Sequence, residues 1–313
     1  MKDERNTRRE AAIVPAIAAM TIAAFVTIAP LTACKFESAE SARFGKTIAA
    51  LPEPRKAAGT ERFEFDSALL GKKMGLYVYL PPDYSPDKTY PVLYLLHGFG
   101  NDEIEWFDYH HLDQVANALI AEGTLKPLVI VAPRMDNSWG IDSGKPKMNG
   151  LTAKRALFNG PYEKYFLTEV MRLAESRYPV SKKPEERYLG GISMGGYAAL
   201  HIGFRNPGLF SRIGGHSPAL KGQQIPDYFL YAPDRKKADN DPLELAKTAK
   251  LESNAIFIDC ASDDGLFAGA KECADTLKAR GLNVEFSTGE GAHTAAYWHP
   301  NLGRYLSFYA GSK

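Results

Sequence analysis

Ser193 lies in Gly191-Ile192-Ser193-Met194-Gly195, a G-x-S-x-G run that follows apolar residues and leads into Tyr197-Ala-Ala-Leu-His-Ile-Gly-Phe204, which reads as a helix entering a core. A serine on a sharp strand-to-helix turn exposes its hydroxyl for attack on a carbonyl carbon. Strand and helix can close around it only if the residues two before and two after carry almost no side chain. Glycines hold both positions, and Gly190 and Gly196 extend the small-residue collar. The chemistry implied is acyl transfer, which needs a base for the serine proton, a carboxylate to orient that base and N–H donors for the oxyanion. Met194 N–H, on the first turn of the helix, is one such donor.

The other parts follow in the chain. Ala261-Ser-Asp263-Asp264 comes directly after the apolar run Ala255–Cys260, so Asp263 or Asp264 places a carboxylate just beyond a late strand. His293 ends the glycine-rich Gly289-Glu-Gly-Ala-His293, where an imidazole can reach the serine. The order serine, aspartate, histidine is that of α/β hydrolases. His97 precedes the nucleophile at a strand end and is expected to pack beneath a loop; His299 stands before Pro300 in the next segment. Past the first buried strand, His97-Gly98-Phe99-Gly100 is where a second oxyanion donor belongs, with Phe99 N–H the first choice and Gly100 N–H the second. No cofactor is called for. No Cys/His cluster has metal-ligand spacing, and the adjacent His110 and His111 point to different sides.

These residues need a scaffold of alternating strands and helices. Arg62–Asp66 and Met74–Leu80 alternate apolar and polar as an antiparallel edge hairpin. Tyr90–Leu96, Leu128–Ala132 and Ala255–Cys260 read as buried parallel strands, Ile213–Pro218 as a short strand with a loop near the serine, and Asn283–Ser287 as the last strand. Helices are expected over Asp113–Glu122, closed by Gly123, over Tyr162–Tyr178 and over Ala268–Arg280. Asn137–Gly150 reads as a loop. Lys221–Lys250 reads as a lid or as a surface loop with a short helix near Leu243–Leu251. The fold class is α/β, a doubly wound, mostly parallel sheet with an antiparallel N-terminal edge.

Size and charge agree with one large domain: 313 residues, 45% hydrophobic, with 38 Lys and Arg against 37 Asp and Glu. That balance, without a basic stripe, sets a nucleic-acid partner aside. Residues 1–34 read as an export segment, because Lys2, Arg5, Arg8 and Arg9 lead into an uncharged stretch from Ala11 to Ala33. Its end, Leu31-Thr-Ala-Cys34, resembles the lipobox of bacterial lipoproteins. That resemblance implies lipidation of Cys34 and a membrane-anchored protein of a bacterial cell envelope. An ordinary cleaved signal or an uncleaved membrane helix are the competing readings, the latter opposed by Pro15 and Pro30, and Glu10 argues against a twin-arginine signal. Residues 35–60 read as a flexible tether and 61–313 as the catalytic domain. Cys260 and Cys273 either pair or are two small buried side chains. Trp106, Trp139, Tyr297 and Trp298 either line an aromatic pocket or belong to the core.

From about Glu61 to Tyr309 the chain resembles the esterase D-like serine hydrolases, especially the feruloyl and acetylxylan esterases of carbohydrate esterase family one. The resemblance rests on Leu96-His-Gly-Phe-Gly-Asn-Asp-Glu-Ile-Glu-Trp106, Ala118-Leu-Ile-Ala-Glu-Gly-Thr-Leu-Lys-Pro-Leu128, Gly190-Gly-Ile-Ser-Met-Gly-Gly196 and Gly291-Ala-His293 with Trp298 five residues on. It implies an α/β-hydrolase fold and hydrolysis of acyl or feruloyl esters of carbohydrates. In that family a glycine commonly opens the acid loop three residues before the aspartate; Ala261 stands in its place here, and the offset favours Asp264 over Asp263. An acyltransferase of the same fold, a peptidase and a catalytically dead carbohydrate-binding protein are the rival readings.

Overall fold

The computed structural model of the chain describes residues 51–149, 156–220 and 236–312. The expected export segment with Cys34, and residues 35–50 of the expected tether, lie outside them. Of the tether's remaining residues, Leu51 packs on the core, and Pro52 C=O accepts from the Arg177 guanidinium at 2.8 Å.

Strands β1 (Gly59–Ser67) and β2 (Lys72–Leu80) form the expected edge hairpin. In β1, Phe63, Phe65 and Ser67 turn inward while Arg62, Glu64 and Asp66 face water, the two-residue period of a half-covered strand. After β3 (Val92–Leu96) come one π turn (Glu105–Tyr109), α1 (Leu112–Ala121) and β4 (Val129–Pro133). β3 and β4 are buried throughout, as parallel strands covered on both faces must be.

The expected loop after β4 is instead a second hairpin, β5 (Asp142–Asn149) with β6 (Leu157–Pro161). Gly140, Gly144 and the lysines hide it in the sequence, because its pairing depends on Leu157 and Phe158 further along the chain. The helix expected over Tyr162–Tyr178 is built as α2 (Tyr162–Tyr165), a π turn (Phe166–Val170) and α3 (Met171–Arg177). Glu169, within that π turn, accepts from Ser67 Oγ at 2.5 Å and from the N–H groups of Ala68 and Leu69, tying the helix to the β1–β2 turn.

β7 (Arg187–Ile192), α4 (Met194–Arg205) and β8 (Arg212–His216) follow. Residues 221–235, half of the expected lid or surface loop, lie outside the described residues. Beyond them are α5 (Lys237–Asn240) and α6 (Pro242–Thr248), the latter capped by Asp241, whose carboxylate accepts from Leu243 N–H at 2.9 Å. The order closes with β9 (Ala255–Ala261), α7 (Phe267–Ala279), β10 (Val284–Gly289) and α8 (Ala295–Ala310). α8 was masked in the sequence by Pro300, a residue that normally ends helices; burial of Tyr297, Leu302, Tyr305, Leu306 and Tyr309 holds it together.

The eight-stranded sheet has the order β1-β2-β4-β3-β7-β8-β9-β10. Only β2 runs against its neighbours. With the β5/β6 hairpin set apart, this is the α/β-hydrolase arrangement. One apolar cluster includes residues of α4 and α7, and the other lies under α1 and α8. Cys260 and Cys273 are both free and buried in the first cluster, which decides against a disulfide; desolvation raises both thiol pKa values, and while Cys273 acts as apolar filler, the Cys260 thiol also hydrogen-bonds the Asp264 carboxylate. Among the described residues no helix is long and apolar enough to cross a membrane.

Candidate active site

β3, β7, β8, β9 and β10 all end at the carboxyl edge of the sheet, and the loops they release carry the singled-out residues. β7 delivers Ser193, whose backbone sits at φ 56° and ψ −115°, a conformation that costs a non-glycine residue of order 1–3 kcal/mol. Neighbouring bonds hold it there: Ser193 N–H donates to His216 C=O at 2.9 Å, and Ser193 C=O accepts from Tyr197 N–H and Ala219 N–H, each at 3.0 Å. A β-carbon on Gly191 would strike the Gly195 carbonyl, and one on Gly195 the Leu96 carbonyl, so both glycines of the G-x-S-x-G run are required by contact. Gly190 has a different purpose from the one its position in the collar suggests. It faces Tyr309, whose hydroxyl occupies the space a β-carbon would need on both Gly190 and its register partner Gly214.

His293 Nε2 lies 2.8 Å from Ser193 Oγ, and His293 Nδ1 lies 2.7 Å from Asp264 Oδ2. An ionised carboxylate only accepts, so Nδ1 carries the proton and the Nε2 lone pair is left facing the serine O–H. Asp264 Oδ1 accepts from Leu266 N–H at 2.9 Å. Burial pushes the Asp264 carboxyl up, but the bonds from His293 and Leu266 outweigh it and leave the group below its usual range. Asp263 is exposed; its N–H donates to Gly291 C=O at 2.9 Å, and Ser262 N–H to Gly289 C=O, which locks the acid loop to the histidine loop. The adjacent pair thus divides into a carboxylate that reaches His293 and one that faces solvent.

His97 is 1% exposed. Met135 N–H donates to its Nε2 at 2.9 Å, so its Nδ1–H donates to Gly98 C=O at 2.8 Å: it packs under the loop as expected. A β-carbon on Gly98 would lie 3.6 Å from Ser193 Cβ, so the loop flanks the serine. Within it, Gly100 N–H is taken by Asn137 Oδ1 at 2.7 Å and Gly98 N–H by Glu105 Oε2 at 2.5 Å. That leaves Phe99 N–H as the loop's donor without a partner among the described residues, and Met194 N–H lies in the first turn of α4, directly after Ser193. Asn137 and Glu105 were not singled out from the sequence. Glu105 stands inside the quoted 96–106 run, but nothing in residue type shows which way it turns.

The profile of the esterase family matches residues 67–309. The chain belongs to that family. It is similar to the acetyl esterase of Caldicellulosiruptor saccharolyticus, 27% identical over 268 residues that cover 76% of this chain and 93% of that one. It is similar also to an endo-1,4-beta-xylanase/feruloyl esterase of Xylanibacter ruminicola, 28% identical over 245 residues, 76% of this chain but 29% of that longer protein. Among solved structures it is similar to a ferulic acid esterase, with a TM-score of 0.67 and 26% identity over 82% of this chain and 99% of the other. The protein is a carboxylic-ester hydrolase.

The tryptophans of this esterase do not form the aromatic pocket that the sequence allowed. Trp106 is 1% exposed and donates its indole N–H to Leu96 C=O at 3.3 Å; Trp139 is 5% exposed and meets Tyr197 edge to face. Both are core. Tyr297 is buried too. Trp298 stands at the site: its ring meets that of His293 at 4.9 Å and 89°, and its N–H donates to Ser217 Oγ at 3.1 Å. His299 faces away from the serine relay, to His110. A cavity of about 320 Å³ opens beside the loop after β3, lined by Gly100, Asn101, Asp102, Tyr109, Arg134, Asp136, Asn137 and Phe158. Among the described residues no His, Cys, Asp or Glu group has metal-binding geometry.

Proposed function

We propose that this esterase works through an acyl-enzyme on Ser193. His293 takes the hydroxyl proton as Ser193 Oγ attacks the ester carbonyl, and returns it to the departing alcohol. Water then repeats the sequence on the acyl-serine. Asp264 holds the imidazole in the tautomer that accepts from serine and stabilises its cation. Phe99 N–H and Met194 N–H receive the oxyanion, each worth on the order of 3 kcal/mol of barrier. The observation that carries this reading is the continuous relay Ser193–His293–Asp264, at 2.8 and 2.7 Å, beside two backbone donors. Replacing Ser193 by alanine is expected to lower turnover at least about a thousandfold and to abolish fluorophosphonate labelling; full ester hydrolysis by folded Ser193→Ala protein would reject it.

The substrates proposed are acetyl or feruloyl esters of carbohydrates. In support, the cavity beside the oxyanion loop joins two aromatic side chains, Tyr109 and Phe158, to a polar floor. The floor's charges are matched within the protein: Arg134 with Glu103 at 2.7 Å and Asp136 with Lys72 at 2.6 Å. A surface of paired charges and aromatic faces suits an uncharged, hydroxyl-rich alcohol better than an ionic one. Comparing methyl and glycosyl esters of one acid tests this, and equal kcat/KM for the two would refute it. Export and anchoring through a lipid on Cys34 complete the proposal, supported by the charged start, the apolar stretch and Leu31-Thr-Ala-Cys34; loss of membrane association in Cys34→Ala is the expected result.

A further inference from the structure

Three consecutive N–H groups, those of Gly98, Phe99 and Gly100, line the loop beside Ser193, and among the described residues only the middle one is without a partner. Asn137 engages one neighbour and Glu105 the other. Glu105 is 4% exposed, and its second oxygen accepts from the Asn101 amide. Such a carboxylate poses a problem for the reaction. Its oxygens would lie 3.5 and 3.6 Å from a β-carbon on Gly98, the same point that is 3.6 Å from Ser193 Cβ. A bare negative charge so near opposes the growth of a second one on the ester oxygen.

His110 supplies the counterweight. It is 6% exposed, its Nε2 has no hydrogen-bond partner, and that atom stands 3.8 Å from Glu105 Oε1. Its Nδ1 lies 3.0 Å from Nε2 of the exposed His299. One proton sits between the two rings. If His110 donated it, a bare nitrogen would face the carboxylate; if His299 donates it, His110 carries its proton on Nε2 and directs it at Glu105. Of these two neutral arrangements only the second is electrostatically favourable. His299, His110 and Glu105 then form a polarised line from the surface to the oxyanion loop.

We propose that Glu105 is a positioning residue for the oxyanion donor: by gripping Gly98 N–H it turns Phe99 N–H toward the ester oxygen, and His110, backed by His299, balances its charge. The inference rests on Ser193 being the nucleophile. The test pairs an oxygen ester with the thionoester of the same acid and alcohol, because C=S accepts an N–H bond poorly, so the ratio of the two kcat/KM values reports the oxyanion contact. Glu105→Ala is expected to lower kcat on the oxygen ester about 100-fold with KM within about threefold, and to lower the oxygen-to-sulfur ratio at least about tenfold. Glu105→Gln keeps an oxygen for Gly98 and should hold the ratio within about threefold of wild type. Equal losses on both esters, or none, would overturn the proposal. Where Glu105→Ala does not fold, Glu105→Asp, one methylene short of Gly98, is read the same way: a lowered ratio supports the role and an unchanged ratio overturns it. Ser193→Ala is the control, since activity surviving there defeats the acyl-enzyme reading, whereas its loss beside an unmoved ratio in the Glu105 variants defeats only the positioning role.

Discussion

The molecule holds two imidazole–carboxylate pairs with the same contact. His293 Nδ1 meets Asp264 Oδ2 at 2.7 Å, and His216 Nδ1 meets Asp259 Oδ1 at 2.7 Å. What differs is the far side of each ring. His293 Nε2 faces Ser193 Oγ, and its side chain is 34% exposed. His216 is fully buried, with Nε2 3.0 Å from the Tyr309 hydroxyl and its ring stacked on Tyr305 at 3.7 Å. Asp259 is closed off as well, accepting from Tyr305 O–H at 2.8 Å. Burial raises the pKa of both tyrosine hydroxyls, so the inner pair has no acidic proton to pass and no substrate to reach. Geometry between histidine and aspartate does not make a catalyst; a nucleophile and access to the ester do. The inner pair instead underlies the outer one, since His216 C=O receives Ser193 N–H and Asp259 C=O receives Ser217 N–H.

Asparagine in each carboxylate position sets the contrast at its widest. Asp264→Asn is expected to lower kcat by about a thousandfold to ten-thousandfold, because the amide favours the wrong imidazole tautomer, with a loss of stability well below that of breaking the inner pair. Asp259→Asn should do the reverse, removing about 3–5 kcal/mol of stability by breaking a buried pair while kcat per folded molecule stays within about threefold. An Asp259 variant that is stable but inactive would break the distinction. Next comes Tyr309→Phe, which strips the partner from His216 Nε2 and should cost about 1–3 kcal/mol in denaturant titrations without altering kcat.

The smallest effect is in pH. The folded Asp264 carboxyl lies below its ordinary value of 3.8, so folding favours its ionised form. The stability this confers is complete above the ordinary value and disappears as the pH falls through the lower, folded value. The difference in thermal midpoint between wild type and Asp264→Asn should therefore shrink as the pH drops below about 4; a difference that is constant there would contradict it.

Which parts of the site the sequence discloses follows from how local the cause is. Gly191 and Gly195 are legible because both serve one turn, and the order Ser193, Asp264, His293 is legible because each residue follows a strand. Asp264 could be separated from Asp263 only through the family's offset, since which of two neighbours turns inward is decided by Leu266 and His293. Glu105 and Asn137 were missed because their purpose lies in N–H groups 7 and 37 residues away. Trp106 and Trp139 misled because an aromatic residue near a catalytic loop reads alike whether it faces a cavity or the core beneath it. The strands of the sheet were visible from their apolar runs, whereas β5, β6 and α8 were hidden by glycine and proline that distant packing overrides.

The ring of Tyr309, seated on Gly190 and Gly214, also bears on how the chain matures. It comes from α8, which follows all eight strands of the sheet in the chain. Until it arrives, His216 has no partner for its inner nitrogen and the two glycines leave an unfilled notch beneath the nucleophile's strand. Chains truncated before residue 305 would thus hold Ser193, Asp264 and His293 in sequence yet lack the floor on which they assemble.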